Sequence, residues 1–215
     1  MSDESTSTLR QLPRGRHRLS REEVVASQRE RILVAMGEAM CESGYVGTPV
    51  AAVLKRAGVS RETFYEQFRS KEDCFRAAFD RASQLLSDRL QATIAELADA
   101  DAPTRMDRIL TAYFQHLIDD PAAARLFLVE VYAAGPAAIA ARMDLQHRFV
   151  TVVAAMLGAE TDEQRFACAT LAAAIGAMVT GKISGGQLDS LWELKDQLIA
   201  LAQRSGTVYG NAFAG

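Results

Sequence analysis

The sequence predicts an all-α protein, and three observations carry that prediction. Long stretches are rich in Ala, Leu, Glu, Arg and Gln, all strong helix formers, and only five prolines interrupt the 215 residues. No segment sustains the period-two alternation of β-branched residues that a half-buried strand requires. Helix-start signals recur: SREE at 20–23, SKED at 70–73 and TDEQ at 161–164 each set a capping hydroxyl three residues before a side chain that can reach back.

The elements follow in order. Ser20 and Glu23 open a first helix that runs to about residue 42, with Val24, Ile32, Ala35, Met36 and Ala39 on its inner side. Gly44 stops it by taking a left-handed conformation. Thr48 as cap and Pro49 at the first helical position open a short second helix to Ala57, whose apolar stripe is Val50, Val53, Leu54 and Ala57. Gly58 ends it, and Ser60 caps a third helix from Arg61 to about Phe68. Ser70 opens a long fourth helix to about residue 98. Asp101 and Pro103 start a fifth that ends near Asp119, and Asp120 and Pro121 start a sixth. Gly135 and Pro136 divide it from a seventh. Thr161 caps an eighth, SGGQ at 184–187 is a loop, and a last helix covers about 188–203. The first dozen residues and the tail after Ser205 are expected to be disordered.

Composition bounds the function. Hydrophobic residues at 49% and charged residues at 24% suit a globular chain with a sizeable core, as one large domain or a small one joined to a larger. Cys41, Cys74 and Cys168 do not make a disulfide framework, which fits a reducing cytoplasm. Small buried hydrophobe is the ordinary reading of each, and a redox sensor is the other. The N-terminus has no apolar core and is not a secretory signal. The uncharged run at 166–181 is mostly small residues and falls short of the roughly 20 residues a membrane span needs, so no membrane partner is expected. Net charge is -3, yet residues 5–21 hold no acid and include Arg10, Arg14, Arg16, Arg18 and Arg21. Such an arm can bind phosphates, or can be a solvated tail.

The second and third helices are short and joined through AGVS at 57–60, which makes a tight turn between steeply packed helices. That is a helix-turn-helix arrangement. Val59, Phe64 and Phe68 face inward, leaving Arg61, Glu62, Thr63, Tyr65 and Gln67 outside. A recognition helix needs this division into a packed face and a reading face. Arg61 can offer a bidentate donor pair to guanine, Thr63 a hydroxyl and a methyl, and Tyr65, Lys71 and Thr48 contacts to phosphate. On spacing alone, a bland helical hairpin fits as well.

The block GVSRETFYEQFRSKEDCF at 58–75, within residues 20–80, resembles the DNA-binding domain of the TetR family of transcriptional regulators. The resemblance implies a homodimeric, ligand-relieved repressor with a helical effector and dimerisation domain. It implies that Tyr65 and Lys71 contact phosphate, that Arg61 and Thr63 read bases, and that Thr48 and Ser60 serve at helix starts. The basic arm with Arg14, Arg16 and Arg18 resembles arms that some members insert into the minor groove. Leu54 stands where many members carry a small residue.

The domain expectation is therefore a basic arm at 1–19, a DNA-binding domain at 20–70, and a ligand-binding and dimerisation domain at 71–215. The last helix carries a broad apolar surface, and with the small-residue helix before it should form a four-helix dimer interface through Leu188, Leu191, Trp192, Leu198 and Ile199. Tyr113, Leu117, Phe127, Glu130, Val131, Phe149 and Met156 are the candidate pocket residues for a small-molecule effector, and their aromatic and Met content suggests a hydrophobic one, with His116, Gln146 and His147 as further polar anchors. No metal-ligand spacing, phosphate-cradling glycine loop or nucleophile elbow is present, so no enzyme, metal or cofactor is expected. The reading is a cytoplasmic, sequence-specific regulator of double-stranded DNA. Its rivals are an all-helical small-molecule-binding protein and a non-specific architectural DNA binder.

Overall fold

The computed structural model describes residues 20–213, and among them nine α-helices and no strand. They are α1 (Arg21–Gly47), α2 (Val50–Ala57), α3 (Arg61–Gln67), α4 (Lys71–Glu96), α5 (Ala102–Asp119), α6 (Pro121–Leu128), α7 (Pro136–Leu157), α8 (Asp162–Ser184) and α9 (Ser190–Arg204), with a 3-10 turn at Glu130–Ala133 after α6. The fold is all-α, a three-helix helix-turn-helix unit followed by a larger helical domain.

The caps act as the sequence implies. Ser20 Oγ accepts from Glu23 N at 3.1 Å while Glu23 accepts from Ser20 N at 2.6 Å. Thr161 and Gln164 repeat the reciprocal pair at α8. At α4 only half of the box forms. Ser70 accepts from Asp73 N, but Asp73 reaches one residue further, to Arg69 N at 2.9 Å. The α2 start differs more. Pro49 is its N-cap, without a side-chain bond, and Thr48 is buried. Gly44 breaks α1 at φ 67, ψ 171, which frees carbonyls near its end, and the Thr48 hydroxyl satisfies one by donating to Gly44 O at 2.7 Å.

One continuous core joins the two ends of the molecule. Ile32, Met36 and Met40 of α1 belong to the same buried cluster as Phe64 and Phe68 below and Phe114 and Phe127 above. α1 packs against α2, α4, α6 and the 3-10 turn, and α4 packs against both α1 and α5. The Arg81–Glu30 ion pair fastens α4 to α1.

The tail after Ser205 is not the loose end the sequence suggests. Asn211 N and Ala212 N donate to Gly158 O and Leu157 O, each at 3.1 Å, and Cys168 Sγ donates to Tyr209 O. Gly210 lies so close to Leu157 O that no Cβ fits, which is what lets the strap cross the α7–α8 junction. Cys74 and Cys168 are buried, and burial pushes the Cys74 thiol up to about 12; Cys41 is exposed. α8, at 23 residues, is long and apolar enough to cross a membrane by composition alone, so the length argument against a span does not hold. Here one face of α8 packs on α6, α7 and α9.

Candidate nucleic-acid interface and internal cavity

α3 is held firmly by one face. Phe64 and Phe68 are 0% and 2% exposed, with ring centroids 5.4 Å apart. Burying each contributes about 1.5–3 kcal/mol. The Arg29 guanidinium lies 4.5 Å over the Phe68 ring, so α1 clamps the same face. At the N-terminus, Ser60 Oγ accepts from Thr63 N at 3.0 Å and lies 3.0 Å from Thr63 Oγ1. The turn before it is set by Gly58 in the left-handed region, which a residue without a Cβ enters at no steric cost, and by Arg31, which donates to Ala57 O at 2.9 Å. Sequence reasoning missed Arg31, whose role needs a partner 26 residues away.

The other face of α3 is free. Arg61, Glu62, Tyr65 and Glu66 are exposed. The Arg61 guanidinium sits 5.6 Å from the Tyr65 ring, and that ring meets Phe64 edge-on at 5.3 Å. An exposed cation is thereby braced, through an aromatic stack, on the core. Such a surface has donors for base edges and a hydroxyl for a phosphate.

Other expected contacts point elsewhere. Thr48, at 1% exposed, faces inward and has no free route to DNA. Lys71 Nζ donates to Tyr45 O at 2.8 Å and Thr48 O at 3.1 Å, and sits 4.1 Å over the Tyr45 ring. Burial pushes its ammonium pKa down. Of the three ammonium hydrogens, these bonds leave one for a phosphate. Lys71 is first of all the clasp of the α1–α2 turn. Arg14, Arg16 and Arg18 lie outside the described residues.

A cavity of about 310 Å³ opens between α4, α5, α6 and α7. Leu86, Leu90 and Ile94 of α4 line it together with Tyr113, Phe127 and Phe149. Tyr113 and Phe149 stack with centroids 5.6 Å apart. Burial, only partly opposed by Arg142, pushes the Tyr113 phenol up to about 12, so it stays neutral at physiological pH. Arg142, Gln146 and Arg148 also line the cavity, and no lining residue is acidic. A second groove of about 640 Å³ runs between α7 and α8, past Tyr132, Ile139, Met143, Ala173 and Ala177.

Of the expected pocket residues, Tyr113, Phe127 and Phe149 line the cavity. Leu117, Val131 and Met156 do not; they are 0%, 0% and 7% exposed in closed core. Glu130 turns away to the α1–α2 corner, where it accepts from Tyr45 N at 2.7 Å and pairs with Arg125 Nε at 3.0 Å. His116 lies half-buried outside the cavity lining with Nε2 unpartnered, and His147 is exposed. Arg142 and the α4 residues were missed. For Arg142 the available signal was its i, i+4 spacing to Gln146 on one face of α7.

The expected dimer face divides similarly. Leu191 and Leu198 are 0% and 3% exposed, because α9 packs them against α5, where Lys195 also pairs with Asp107 at 2.7 Å. They are not available to a partner. Leu188, just before α9, and Trp192 and Ile199 are half-buried, and Leu201 is exposed. The larger free apolar surface is on α8, where Phe166 and Met178 are 75% and 40% exposed and Ala173, Ala174 and Ala177 are open between them.

Residues 32–78 match the family described as bacterial regulatory proteins, tetR family. Among curated proteins none matches the chain. The fold matches the transcriptional regulator FadR from Bacillus subtilis, solved in complex with stearoyl-CoA, at 22% identity and TM-score 0.68 over 80% of this chain and 96% of that one. It also matches the fatty acid degradation regulator FadR from Bacillus halodurans, at 18% identity and TM-score 0.70 over 81% and 94% of the two chains. A TetR-like regulator from Rhodococcus sp. RHA1 matches at 20% identity and TM-score 0.67 over 87% and 98%. The segment that carries the helix-turn-helix thus matches the tetR family of bacterial regulatory proteins, and the chain as a whole has the fold of these solved regulators.

Proposed function

We propose that the protein is a repressor that binds a palindromic operator as a homodimer and is released by a small hydrophobic effector. The observation that carries this reading is α3 itself. Its inner face is locked by Phe64 and Phe68, and its outer face presents Arg61 and Tyr65 to solvent. In this reading residues 20–70 are the DNA-binding domain and residues 71–215 the effector and dimerisation domain. Arg61 and Thr63 read base edges from the first turn of α3, Tyr65 and the Ser60 region meet the backbone, and Lys71 adds its remaining hydrogen.

Two further features support the finer points. The uncharged outer face of α8, with Phe166 and Met178 bare, is unpartnered in a single chain and suits a two-fold contact with its copy, flanked by Trp192 and Ile199 of α9. The mostly apolar cavity between α4 and α7 suits a hydrophobic effector, and the Bacillus subtilis regulator of like fold is in complex with stearoyl-CoA. For an effector to relieve repression it must bind the DNA-free form more tightly.

Selection of bound sequences from a random duplex pool at near-physiological salt tests the reading. Enrichment of an inverted repeat is expected. Binding without enrichment, with a steep salt slope, would replace the regulator with a non-specific DNA binder. Phe166→Asp is expected to shift the sedimentation of the protein from dimer to monomer; an unchanged dimer would move the interface off α8.

A further inference from the structure

We propose that Arg142 and Gln146 form the head-group seat for an anionic amphiphile whose hydrocarbon part fills the cavity between α4 and α7. This rests on the reading of that cavity as the effector site and adds the chemistry of the ligand.

The seat is built on one face of α7, where positions i and i+4 lie one above the other. Arg142 Nη1 donates to Gln146 Oε1 at 3.1 Å. That bond orients the amide and leaves its Nε2 as a donor. Gln146 Nε2 and Arg142 Nε are both buried and have no hydrogen-bond partner among the described residues. Buried donors without acceptors are costly, and more so when the group is charged. A ligand that brings an anionic acceptor relieves both at once.

The surroundings favour an anion over any other head group. Arg142 and Arg148 are the charged residues that line the cavity, and the groove behind it adds no acid. Among the described residues no carboxylate forms an ion pair with Arg142. A cation or a neutral alcohol would leave the guanidinium uncompensated.

Gly176 of α8 keeps the seat open. A Cβ there would lie 3.4 Å from Gln146 Oε1 and 3.6 Å from Arg142 Nη2, so any longer side chain would fill the space over the pair. Arg142, Gln146 and Gly176 line both the cavity and the α7–α8 groove, and so form the partition between them. The apolar cavity holds the chain and the partition holds the charge. A free fatty acid and an acyl thioester of a phosphorylated carrier share this chemistry.

Isothermal titration of the full chain with dodecanoate, dodecanol, dodecyltrimethylammonium and dodecanoyl-coenzyme A, each kept monomeric, separates the outcomes. Dodecanoate or the thioester is expected to bind at least roughly tenfold tighter than dodecanol, the scale of one charge-assisted hydrogen bond. Arg142→Gln should bring that ratio to about one, and Arg142→Lys should keep part of it. Circular dichroism on each variant shows that it is folded. Gly176→Leu, which fills the space over the pair, should weaken both anions; tighter binding of the thioester than of the free acid identifies the phosphorylated carrier as the anion, and the reverse order identifies the carboxylate itself. Equal affinity for dodecanoate, the thioester and dodecanol in the native protein overturns the anion seat and leaves the cavity reading standing. No binding of any of the four probes overturns the cavity reading, and the seat with it.

Discussion

Glu130 links the larger domain to the helix-turn-helix unit, and replacing it should both destabilise the protein and weaken communication across it. Its side chain is 7% exposed, and it ties the 3-10 turn after α6 to Tyr45 at the end of α1 and to Arg125. Glu130→Ala leaves the Tyr45 N–H without its acceptor and the Arg125 guanidinium without its counter-charge. Breaking a fully buried pair costs about 3–5 kcal/mol. Arg125 is 29% exposed and recovers part of that from water, so the expected loss is about 2–4 kcal/mol. Glu130→Gln keeps a neutral acceptor for Tyr45 N–H and loses the charge, at about 1–2 kcal/mol. Both are large against a typical total of about 5–15 kcal/mol. Urea unfolding of the DNA-free protein measures them. A Glu130→Ala protein as stable as the native one would refute the latch. Equal losses for Ala and Gln would refute the division between hydrogen bond and charge. The second readout is coupling. Phe127 and Leu128 line the cavity two to three residues before Glu130, and Tyr45 precedes the turn that positions α2. The variant should therefore retain effector binding while the effector loses part of its influence on operator affinity. Unchanged coupling would remove Glu130 from the transmission.

Other outcomes are expected. Arg61→Ala should relax discrimination at one base pair by about 1–3 kcal/mol in a panel of operator variants, and a uniform loss across the panel would assign Arg61 to phosphate instead. Lys71→Ala should cost about 1–3 kcal/mol in the absence of DNA, because two carbonyls lose their donor; a variant of native stability with only a reduced salt slope would make it a pure phosphate contact. His116 has its pKa pushed down, by burial first and then by Arg89, against Asp119 and Asp120. The fold therefore favours its neutral form, and this contribution is present above the unfolded pKa of about 6.5 and lost as pH falls toward the folded value. Denaturation midpoints at neutral and mildly acidic pH should differ less in His116→Asn than in the native protein; an equal drop would remove His116 as a cause.

What the sequence carried was local. Capping hydroxyls at Ser20, Ser60 and Thr161, the glycine at Gly58 and the stripe of Phe64 and Phe68 act over a few residues, and each appears in the structure where the spacing placed it. The misplacements involve partners far along the chain. Glu130 looked like a polar pocket residue because its acceptor role depends on Tyr45, 85 residues earlier. Leu191 and Leu198 looked like dimer residues because an apolar stripe does not say whether its own α5 or a second copy will cover it. Thr48 and the two carbonyl bonds of Lys71 were missed for a different reason. Both sit beside the recognition helix, and a basic or hydroxyl side chain there suggests phosphate.

The break at Gly44 explains why those two residues turn inward. A helix that ends abruptly leaves carbonyls that water must reach or side chains must satisfy. Here the end of α1 is pressed between α2, α6 and the 3-10 turn. Thr48 supplies a hydroxyl to Gly44 O, Lys71 supplies an ammonium to Tyr45 O and Thr48 O, and Glu130 takes the Tyr45 N–H. Three side chains from three parts of the chain thus close a single corner, and that corner fixes where α2 begins and hence how α3 is presented. A phosphate bound at Lys71 would share its ammonium with that corner. DNA contact and the seating of the helix-turn-helix on the larger domain are then competing or cooperating demands on one group. Measuring Lys71→Ala and Glu130→Ala singly and together, with and without operator, distinguishes the two. Additive losses would mean independent contacts, whereas a coupling energy of about 0.5 kcal/mol or more, present only with operator, would make the corner part of the DNA response.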